Sequence, residues 1–579
     1  MTMLTKWGAA LDRSCPLPEY PRPQLRRESF YNLNGVWDYA VTPSGDEPEV
    51  WDGEIVVPFS PEAPLSGAAR GPAKDEYLHY RRGFTLPEGF QKSRVLLHFG
   101  AVDQIAEVFV NGVSAAKHSG GYWPFSADIT SLLREGENIL RVTVRDNADD
   151  PTFAYGKQRY KRGGMWYTAQ SGIWQTVWLE SVPEVYVKSL RITPEFDEAR
   201  VRIELETALE SSAAITCDVR AADGSFVAGS WAKGGVCVVP LPGFRAWTPD
   251  DPYLYTLDIT CGEDRVESYF AMRKFSYVEL GGHKVFGLNN APLFHNGLLD
   301  QGYYPDGLLT PPSDEAMVND IETMKRCGFN MLRKHIKIEP LRWYYHCDRL
   351  GMIVWQDMVS GGQPYSFLHV SALPTLGKVD LPDQDAKPYG RSGVLSRARF
   401  RREMADTVRL LYNCPCIALW TVFNEGWGQF DALDMANELK KLDPTRFIDH
   451  ASGWQDQGYE EMKSRHIYFR PVKLKNDGRA LALTEYGGYI LALDGHRWTD
   501  KVFGYRICRN SAALAHDYEK LMLGQVLPHI RKEGLTAAVY TQITDVEEEL
   551  NGLMTYDREV LKIPEETLRE INAALRFDA

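Results

Sequence analysis

The feature that most constrains the fold of this 579-residue chain is a series of short apolar segments that alternate with helical segments after about residue 279. Apolar strands that alternate with helices predict a parallel sheet buried on both faces, and eight such units predict a (β/α)₈ TIM barrel. Helices are expected at residues 313–326 and 397–412. The eight predicted strands lie at residues 293–299, 329–335, 352–358, 417–425, 446–452, 465–469, 480–488 and 537–545.

The chain before residue 279 has a different sequence pattern, with many short runs rich in β-branched residues, each bounded by turn residues. Strands are predicted at residues 94–100, 106–110 and 138–144, and Asn111-Gly112 between two apolar runs predicts a tight hairpin. This pattern favours a β-sandwich over residues 1–183 and an immunoglobulin-like sandwich over residues 184–278. Residues 279–579 then form the barrel, with one long loop expected at 361–392.

Two glutamates follow apolar runs at the predicted strand ends of the barrel. Glu425 ends the fourth strand and Glu485 ends the seventh. Because active sites of TIM barrels lie at the carboxyl ends of the strands, both side chains are expected to face one cleft. Two carboxyl groups across a cleft are what glycoside hydrolysis requires, one as proton donor and one as nucleophile. The simpler alternative is that each glutamate forms a structural salt bridge.

Five short motifs resemble those of the glycoside hydrolases of family 2, which include β-galactosidases, β-glucuronidases and β-mannosidases. They are NLNGVW at 32–37, VFVNG at 108–112, SGIWQ at 171–175, Asn424-Glu425 and TEYG at 484–487. The resemblance extends over essentially the whole chain. It implies an N-terminal jelly-roll sugar-binding-like domain, an immunoglobulin-like domain and a catalytic barrel.

The same resemblance implies roles for individual residues. Glu425 corresponds to the acid/base and Glu485 to the nucleophile of a retaining mechanism. Arg333 resembles the arginine that supports the nucleophile, Tyr468 the tyrosine that steadies it, and Asn424 the residue that holds the sugar 2-hydroxyl.

Other residues at the predicted rim are further candidates for substrate binding. His335, His450 and His466 end strands and could hold hydroxyl groups, or each is a structural histidine. Trp355, Trp454 and Trp498 are expected to be stacking platforms, with core packing as the alternative.

Asp149 is expected either to reach the cleft from the first domain, as an aspartate does in some relatives, or to lie in a plain turn. Asp300 and Gln301 stand where many relatives carry an Asn-x-His turn, and no Asn-x-Lys pair follows Glu485. In the family that pair recognises a glucuronide carboxylate, so its absence disfavours a glucuronidase. Lys334 and Lys337 could pair with an acidic sugar, although solvated rim lysines are commoner.

Composition excludes several classes of partner. The formal charge of −13 leaves no basic surplus for nucleic acid, and no apolar run reaches the length of a membrane helix. Nine scattered cysteines, without paired spacing, are expected to be free thiols, and no signal-peptide pattern begins the chain. We therefore expect a cytoplasmic protein with neither nucleic-acid nor membrane partners.

Together these patterns predict an exo-acting retaining β-glycosidase, β-galactosidase-like, that acts on a small glycoside or an oligosaccharide. No cofactor is expected, because the HExxH, P-loop and GxGxxG patterns are missing; a structural cation stays open. One alternative is the same mechanism on a β-glucuronide, β-galacturonide, β-mannoside or α-L-arabinopyranoside. Another is a non-catalytic carbohydrate-binding protein, whereas a serine esterase would need the GxSxG elbow that the chain lacks. The exposed edges of two sandwiches make a homo-oligomer possible.

Overall fold

Two facing antiparallel sheets form the N-terminal sandwich in the computed structural model, which describes residues 3–209, 214–376 and 380–578. Alternate residues of its strands point inward, so that aromatic and β-branched side chains such as Trp37, Tyr80 and Val142 fill one core. The predicted hairpin is confirmed, with Asn111 and Gly112 both at positive φ between two paired strands. The strands of the two sheets are Phe30–Asn32, Gly35–Thr42, Gly53–Val57, Tyr77–Phe84, Arg94–Phe99, Ile105–Val110, Val113–Ser119, Phe125–Asp128, Asn138–Arg145 and Val177–Val182. Two separate short pairs accompany them: Val102–Asp103 with Gly172–Ile173, and Gln158–Arg159 with Tyr167–Thr168.

The second sandwich packs a three-stranded sheet against a four-stranded sheet, as an immunoglobulin-like domain does. A hairpin formed by Phe275–Leu280 and His283–Leu288 follows it and spans residue 278, where the sequence places the domain boundary. The short strand Ala291–Pro292 extends that hairpin. The strands of the sandwich are Val187–Glu195, Arg200–Thr207, Ile215–Arg220, Phe226–Trp231, Val236–Pro240, Tyr255–Cys261 and Asp264–Phe270.

Eight parallel strands form the predicted barrel. The fifth and sixth strands stand at the two ends of the sheet, and there the hydroxyl of Ser464 donates a hydrogen bond to Asp449 at 3.0 Å. In chain order the barrel strands are His295–Asp300, Met331–Lys334, Ile353–Asp357, Ile417–Thr421, Phe447–Asp449, Met462–Ile467, Ala480–Gly487 and Leu535–Thr541. Two further short strands, Tyr489–Ile490 and Arg506–Ile507, pair outside the barrel.

Helices surround the barrel as predicted. Ser313 caps the first barrel helix by accepting a hydrogen bond from the backbone of Ala316, and the second predicted helix begins three residues earlier than expected. The α-helices are Lys6–Ala9, Asp314–Arg326, Leu341–Leu350, Leu373–Thr375, Val394–Leu411, Ala432–Leu442, Ser511–Leu521, Leu527–Glu533 and Glu565–Ala573. Single turns of other helix types lie at Pro23–Leu25, Pro64–Ser66, Thr130–Leu132, Leu368–Ala372 and Met522–Val526.

One end of the barrel is plugged. Phe286, from the hairpin at residues 275–288, stacks on Phe447 at 4.2 Å and meets Trp355 edge-on at 5.9 Å, beneath the barrel strands. The amino ends of the strands are thereby filled with aromatic rings, so that the accessible end is the one at which the strands terminate.

Residues 146–171, which we call the cap, leave the first sandwich and lie over the accessible end of the barrel. The backbone of Tyr155 donates to Ser360 at 3.1 Å, and that of Thr168 donates to the Glu547 carboxylate at 2.9 Å. The predicted loop 361–392 contacts the cap at its start, where the hydroxyl of Tyr155 donates to the backbone of Gly362 at 2.7 Å. It contains two helical turns, at Leu368–Ala372 and Leu373–Thr375, while its residues 377–379 lie outside the described part of the chain.

All nine cysteines are free, as predicted; eight are buried and Cys15 is exposed. Within the described residues, every helix is too short or too polar to cross a bilayer.

Candidate active site

The two predicted glutamates meet in one cleft at the carboxyl ends of the strands. Glu425 follows the fourth barrel strand in a left-handed conformation (φ +54°), and its backbone donates to Ser452 at 2.9 Å. Glu485 lies within the seventh strand and is buried. One oxygen of each carboxylate and a ring nitrogen of His466 lie within 4.8 Å of one another. Carboxyl groups from the fourth and seventh strands therefore face one small space.

Glu485 is held by donors on both of its oxygens. Arg333 donates to Oε1 at 3.1 Å, and the hydroxyl of Tyr468 donates to Oε2 at 2.6 Å. Tyr468 is itself fixed by Thr541, 3.0 Å away, and by Tyr505, whose ring stacks on it at 3.8 Å. Donors to a carboxylate stabilise its ionised form, which is the form that attacks as a nucleophile.

Arg333 connects the groups of this cleft, although its side chain is fully buried. It makes a two-pronged pair with Asp357 at 2.9 and 3.1 Å and donates to the side-chain oxygen of Asn424 at 2.9 Å. Burial would raise the pKa of Asp357, but the charge of Arg333 and the bond from His335 lower it to about 2. Because each charge is paired, the arginine remains buried without the cost of an isolated charge.

The surroundings of Glu425 are less polar. Burial raises the pKa of this carboxyl, while the positive charges of Lys157, His335 and Arg333 lower it in part. His466 lies 2.8 Å away, and burial lowers the pKa of that imidazole to about 3, so it is neutral at physiological pH. A neutral partner leaves Glu425 able to keep its proton, which a general acid needs.

Two more predicted residues line this cleft. The indole of Trp454 donates to the backbone oxygen of Glu425 at 2.9 Å, and its ring stands edge-on to His466 at 5.5 Å. Since the oxygen of Asn424 is occupied by Arg333, its amide NH₂ is left to meet a ligand.

His335 and Asp300 reach the barrel end but are engaged by protein groups. His335 makes a 2.7 Å bond from Nδ1 to Asp357, and Asp300 accepts from Lys334 at 2.6 Å. Gln301 is buried next to Asp300 and has a carbonyl oxygen without a hydrogen-bond partner among the described residues.

Trp355 is not brought to the cleft. Its side chain is fully buried beneath the strand ends, where the indole donates to His295 at 3.0 Å and packs against Phe286. The expectation of a stacking platform is corrected here, because a strand residue two positions before the end points into the barrel interior.

The predicted rim lysines are buried as well. Both Lys334 and Lys337 donate to Glu339 at 2.8 Å, and Lys337 also donates to two backbone oxygens. Their ammonium groups therefore donate their hydrogen bonds to protein oxygens, and neither lysine is a solvated residue of the rim. His450 is likewise engaged, accepting from the backbone of Gln457 at 3.0 Å.

The two remaining predicted residues lie against basic groups of the cap. Trp498 is half-buried beneath Arg162, whose guanidinium lies 4.3 Å from its ring centre. Asp149 forms a partly exposed pair with Arg159 at 3.8 Å.

Four residues of the cleft wall were not predicted from the sequence. Asp357 ends the third strand, and that position is a signal which could have revealed it. The other three are Lys157 and Trp166 of the cap and Glu549 of the loop after the eighth strand, where the sequence carries no strand-end pattern. Trp166 stands edge-on to Trp427 at 5.0 Å, two residues beyond Glu425.

Two groups of described side chains have the spacing of metal ligands. The first is Glu425, His466 and Glu485, in which Glu485 already accepts hydrogen bonds from Arg333 and Tyr468. The second is His496, Asp557 and Glu559. In the second group His496 pairs with Asp557 at 2.8 Å, and Glu559 is largely exposed.

Comparison with known proteins agrees with this architecture. Three family models match in succession: "Glycosyl hydrolases family 2, sugar binding domain" over residues 64–183, "Glycosyl hydrolases family 2" over 185–273 and "Glycosyl hydrolases family 2, TIM barrel domain" over 311–473. A β-galactosidase of Halalkalibacterium halodurans is 23% identical over 502 residues, which cover 78% of this chain and 45% of that relative. The chain spans about half the length, or less, of the first curated relatives that it matches.

Solved structures share the whole fold. A β-glucuronidase from an uncultured Clostridium species superposes with a TM-score of 0.75 at 19% identity, covering 95% of this chain and 99% of its own. A β-galacturonidase from Eisenbergiella tayi, bound to galacturonate, superposes with a TM-score of 0.71 at 19% identity, covering 96% of this chain and all of its own. At such identities these likenesses establish the fold alone.

Proposed function

Since the chain belongs to family 2 of the glycoside hydrolases, we propose that it is an exo-acting retaining β-glycosidase with Glu425 as acid/base and Glu485 as nucleophile. The observation that carries this proposal is the spacing of the two carboxyl groups. Their nearest oxygens are no more than 4.8 Å apart. Retaining enzymes hold their carboxyl groups about 5–5.5 Å apart, and inverting enzymes about 6.5–9.5 Å.

In the first step Glu425 protonates the glycosidic oxygen while Glu485 attacks the anomeric carbon. The bond to the aglycone breaks, the aglycone leaves as an alcohol, and a glycosyl ester forms on Glu485. The burial that raises the pKa of Glu425 favours the protonated form that this step requires.

In the second step Glu425, now ionised, takes a proton from water, and the resulting hydroxide attacks the anomeric carbon. The ester bond breaks and Glu485 is released as a carboxylate, to which Arg333 and Tyr468 donate. Two displacements at one carbon restore its configuration, so the sugar is released with the β-anomeric configuration.

A β-galactoside is the first substrate that we propose. Curated relatives include β-galactosidases, and the chain has no Asn-x-Lys pair after Glu485. Uronides are the second candidate, because the superposed solved structures are uronidases by name. The proposed exo action is supported by the cap, which contacts Ser360 after the third barrel strand and Glu547 after the eighth and so lies across part of the barrel end.

The test is Glu485→Ala with and without azide. Turnover of nitrophenyl β-glycosides should be lost, and azide should partly restore it by forming an α-glycosyl azide, because a small anion fits where the carboxylate was removed. Glu566→Ala, which removes a largely exposed carboxylate of the last helix, is the control that should keep full turnover.

Near-normal activity of Glu485→Ala would refute the nucleophile assignment. A wild-type protein that binds sugars but turns over no member of a panel of β-galactoside, β-glucuronide, β-galacturonide, β-mannoside and α-L-arabinopyranoside would instead support the non-catalytic carbohydrate-binding alternative.

We also propose that the protein acts in a reducing compartment such as the cytoplasm, since all nine cysteines are free thiols. A homo-oligomer formed through the sandwich edges remains a proposal, which the mass in solution tests directly.

A further inference from the structure

The cap presents one lysine whose side chain is largely buried and whose ammonium group has no hydrogen-bond or ion-pair partner among the described residues. Lys157 is 8% exposed, and its nitrogen lies 5.6 Å from the ring centre of Trp166. Among the described residues, no acceptor lies within hydrogen-bonding distance of this ammonium and no carboxylate within 4.0 Å. A buried lysine is almost always paired, so an unpaired one at a cleft indicates that a ligand supplies the acceptor.

The position of Lys157 on the cleft wall follows from its neighbours. Its backbone oxygen accepts a hydrogen bond from the backbone of Tyr167 at 2.9 Å. This bond begins the ladder between the two short strands of the cap, Gln158–Arg159 and Tyr167–Thr168. Trp166, beside it, packs against Trp427 of the Glu425 loop. The charge of Lys157 also lowers the pKa of Glu425, consistent with a nitrogen that faces the reacting centre.

Glu549 stands on the other side of this space. The hydroxyl of Tyr167 donates to its Oε2, so the same ladder positions both the lysine and the glutamate. Glu549 is 5% exposed. Burial and the charge of Glu485 raise the pKa of Glu549, whereas the charge of Lys157 and hydrogen bonds from Tyr167 and Gln542 lower it. No oxygen of Glu549 lies within ion-pair distance of Lys157, so the two charges act on each other across a gap without a direct ion pair.

The cap also fixes the loop that carries Glu549. Besides Tyr167, the backbone of Thr168 donates to Glu547 at 2.9 Å and that of Gly164 donates to Glu548 at 2.9 Å. Glu547 and Glu548 are each paired with a cation at 3.6 Å, Arg162 and Lys501 respectively, whereas Glu549 has no ion pair among the described residues. A substrate carboxylate that enters here would therefore meet the like charge of Glu549, which costs free energy in a poorly solvated site.

We propose that Lys157 and Glu549 together recognise one hydroxyl group of a neutral sugar, and that this pair makes the enzyme selective for neutral β-glycosides over uronides. A hydroxyl group fits this gap because it accepts a hydrogen bond from the ammonium and donates one to the carboxylate. A substrate carboxylate can accept a hydrogen bond from Lys157, but it has no hydrogen to donate to the carboxylate of Glu549. This inference rests on the proposed function and adds to it the class of sugar that the enzyme accepts.

The test compares nitrophenyl β-galactoside with nitrophenyl β-galacturonide, which differ only in a CH₂OH against a COO⁻ group. Wild type should prefer the galactoside. Lys157→Met should lower kcat/KM for the galactoside by about tenfold or more, mainly through KM, because a charge-assisted hydrogen bond is lost. Glu549→Gln should shift the ratio of the two kcat/KM values toward the galacturonide by about tenfold, because a like charge is removed.

Matched controls are available on the same segments. Lys161→Met removes an exposed lysine of the cap, and Glu559→Gln removes a largely exposed glutamate ten residues beyond Glu549; both should leave the ratio unchanged. Circular dichroism melting curves of all four variants identify any variant that fails to fold.

Two results would overturn the inference. The first is a wild type that prefers the galacturonide and loses this preference in Lys157→Met, which would make Lys157 a carboxylate-binding residue. The second is a substrate ratio that neither variant changes. Both leave the proposed function intact, since they require turnover that depends on Glu485, whereas failure of the proposed function would appear as turnover that survives Glu485→Ala.

Discussion

The cleft has two halves that differ in how their charges are satisfied. In the barrel half, Arg333 is shared among Asp357, Asn424 and Glu485, so its donors are occupied before a substrate arrives. In the cap half, the ammonium of Lys157 has no acceptor among the described residues. Groups fixed in advance stabilise charge that develops during a reaction, whereas unsatisfied groups gain a partner only when a ligand binds.

Under the proposed function, this difference implies that one site draws its chemistry and its recognition from different domains. The barrel half is made by strand ends, which rigid parallel sheets hold in place, while the cap is a long connection of the first sandwich. Substitutions in the barrel half should therefore reduce turnover of every substrate. Substitutions in the cap half should change the order of preference among substrates.

The largest expected effect comes from Glu425→Ala. Loss of the general acid should lower kcat/KM by about 10²–10⁴-fold for substrates with poor leaving groups, because an alcohol must be protonated as it departs. Nitrophenolate leaves without a proton, so aryl glycosides should be far less affected. Steady-state rates with lactose and with nitrophenyl β-galactoside measure the contrast, and an equal loss on both would argue against an acid role for Glu425.

A second large effect is expected for Arg333→Met, which removes the shared cation of the barrel half. Turnover should fall by about 10²–10³-fold on all substrates, since a preorganised donor to the nucleophile is lost. The variant should also unfold more easily, by about 3–5 kcal/mol, because Asp357 and Glu485 are left as uncompensated buried charges. Rates on the glycoside panel and urea unfolding check the two parts.

Arg333→Lys is the informative companion to this substitution. It keeps the charge but cannot bridge Asp357, Asn424 and Glu485 at once, so it should restore stability better than turnover. A loss confined to one sugar in either variant would break the division between the two halves.

The sequence predicted the barrel half far better than the cap half. Apolar runs that end near Arg333, Glu425 and Glu485 indicate strand ends. The carboxyl ends of the strands of one barrel converge regardless of the conformation of the loops. Lys157 and Glu549 are 392 residues apart in the sequence and come near each other only because the cap of the first sandwich lies over the barrel. Periodicity within either segment cannot encode that proximity.

Trp355 shows the limit of the strand-end argument. The apolar run that carries it was correctly predicted as the third strand, but side chains two positions apart on a strand point to the same side, so their depth along the strand decides which of them reaches the cleft. Asp357, at the last position, meets Arg333, while Trp355, two positions earlier, packs beneath the strand ends. The sequence predicted the strand but not the exact residue at which it ends, and that residue separates the two.

A smaller effect is expected from substitution of two tyrosines, each of which donates a hydrogen bond to a glutamate, one in each half of the cleft. Tyr468→Phe removes the donor to Glu485 and should lower kcat by about tenfold on every substrate, because one hydrogen bond to an ionised group is lost. Tyr167→Phe removes the donor to Glu549 and should change KM values and the galactoside-to-galacturonide ratio while largely preserving kcat. If both variants lowered kcat alike on all sugars, the two halves would not be separable.

The smallest expected effect is a movement of the pH profile in Lys157→Met. The positive charge of Lys157 lowers the pKa of Glu425, so its removal should raise that pKa and allow Glu425 to keep its proton to higher pH. The alkaline limb of kcat/KM for nitrophenyl β-galactoside should therefore move upward, by less than about one pH unit since burial dominates this pKa, while the acidic limb stays in place. Lys161→Met should move neither limb, because that lysine is exposed on the outer part of the cap. An alkaline limb that stays in place would mean that the charge of Lys157 is not felt at Glu425, and recognition and chemistry would then be independent instead of linked through this single ammonium.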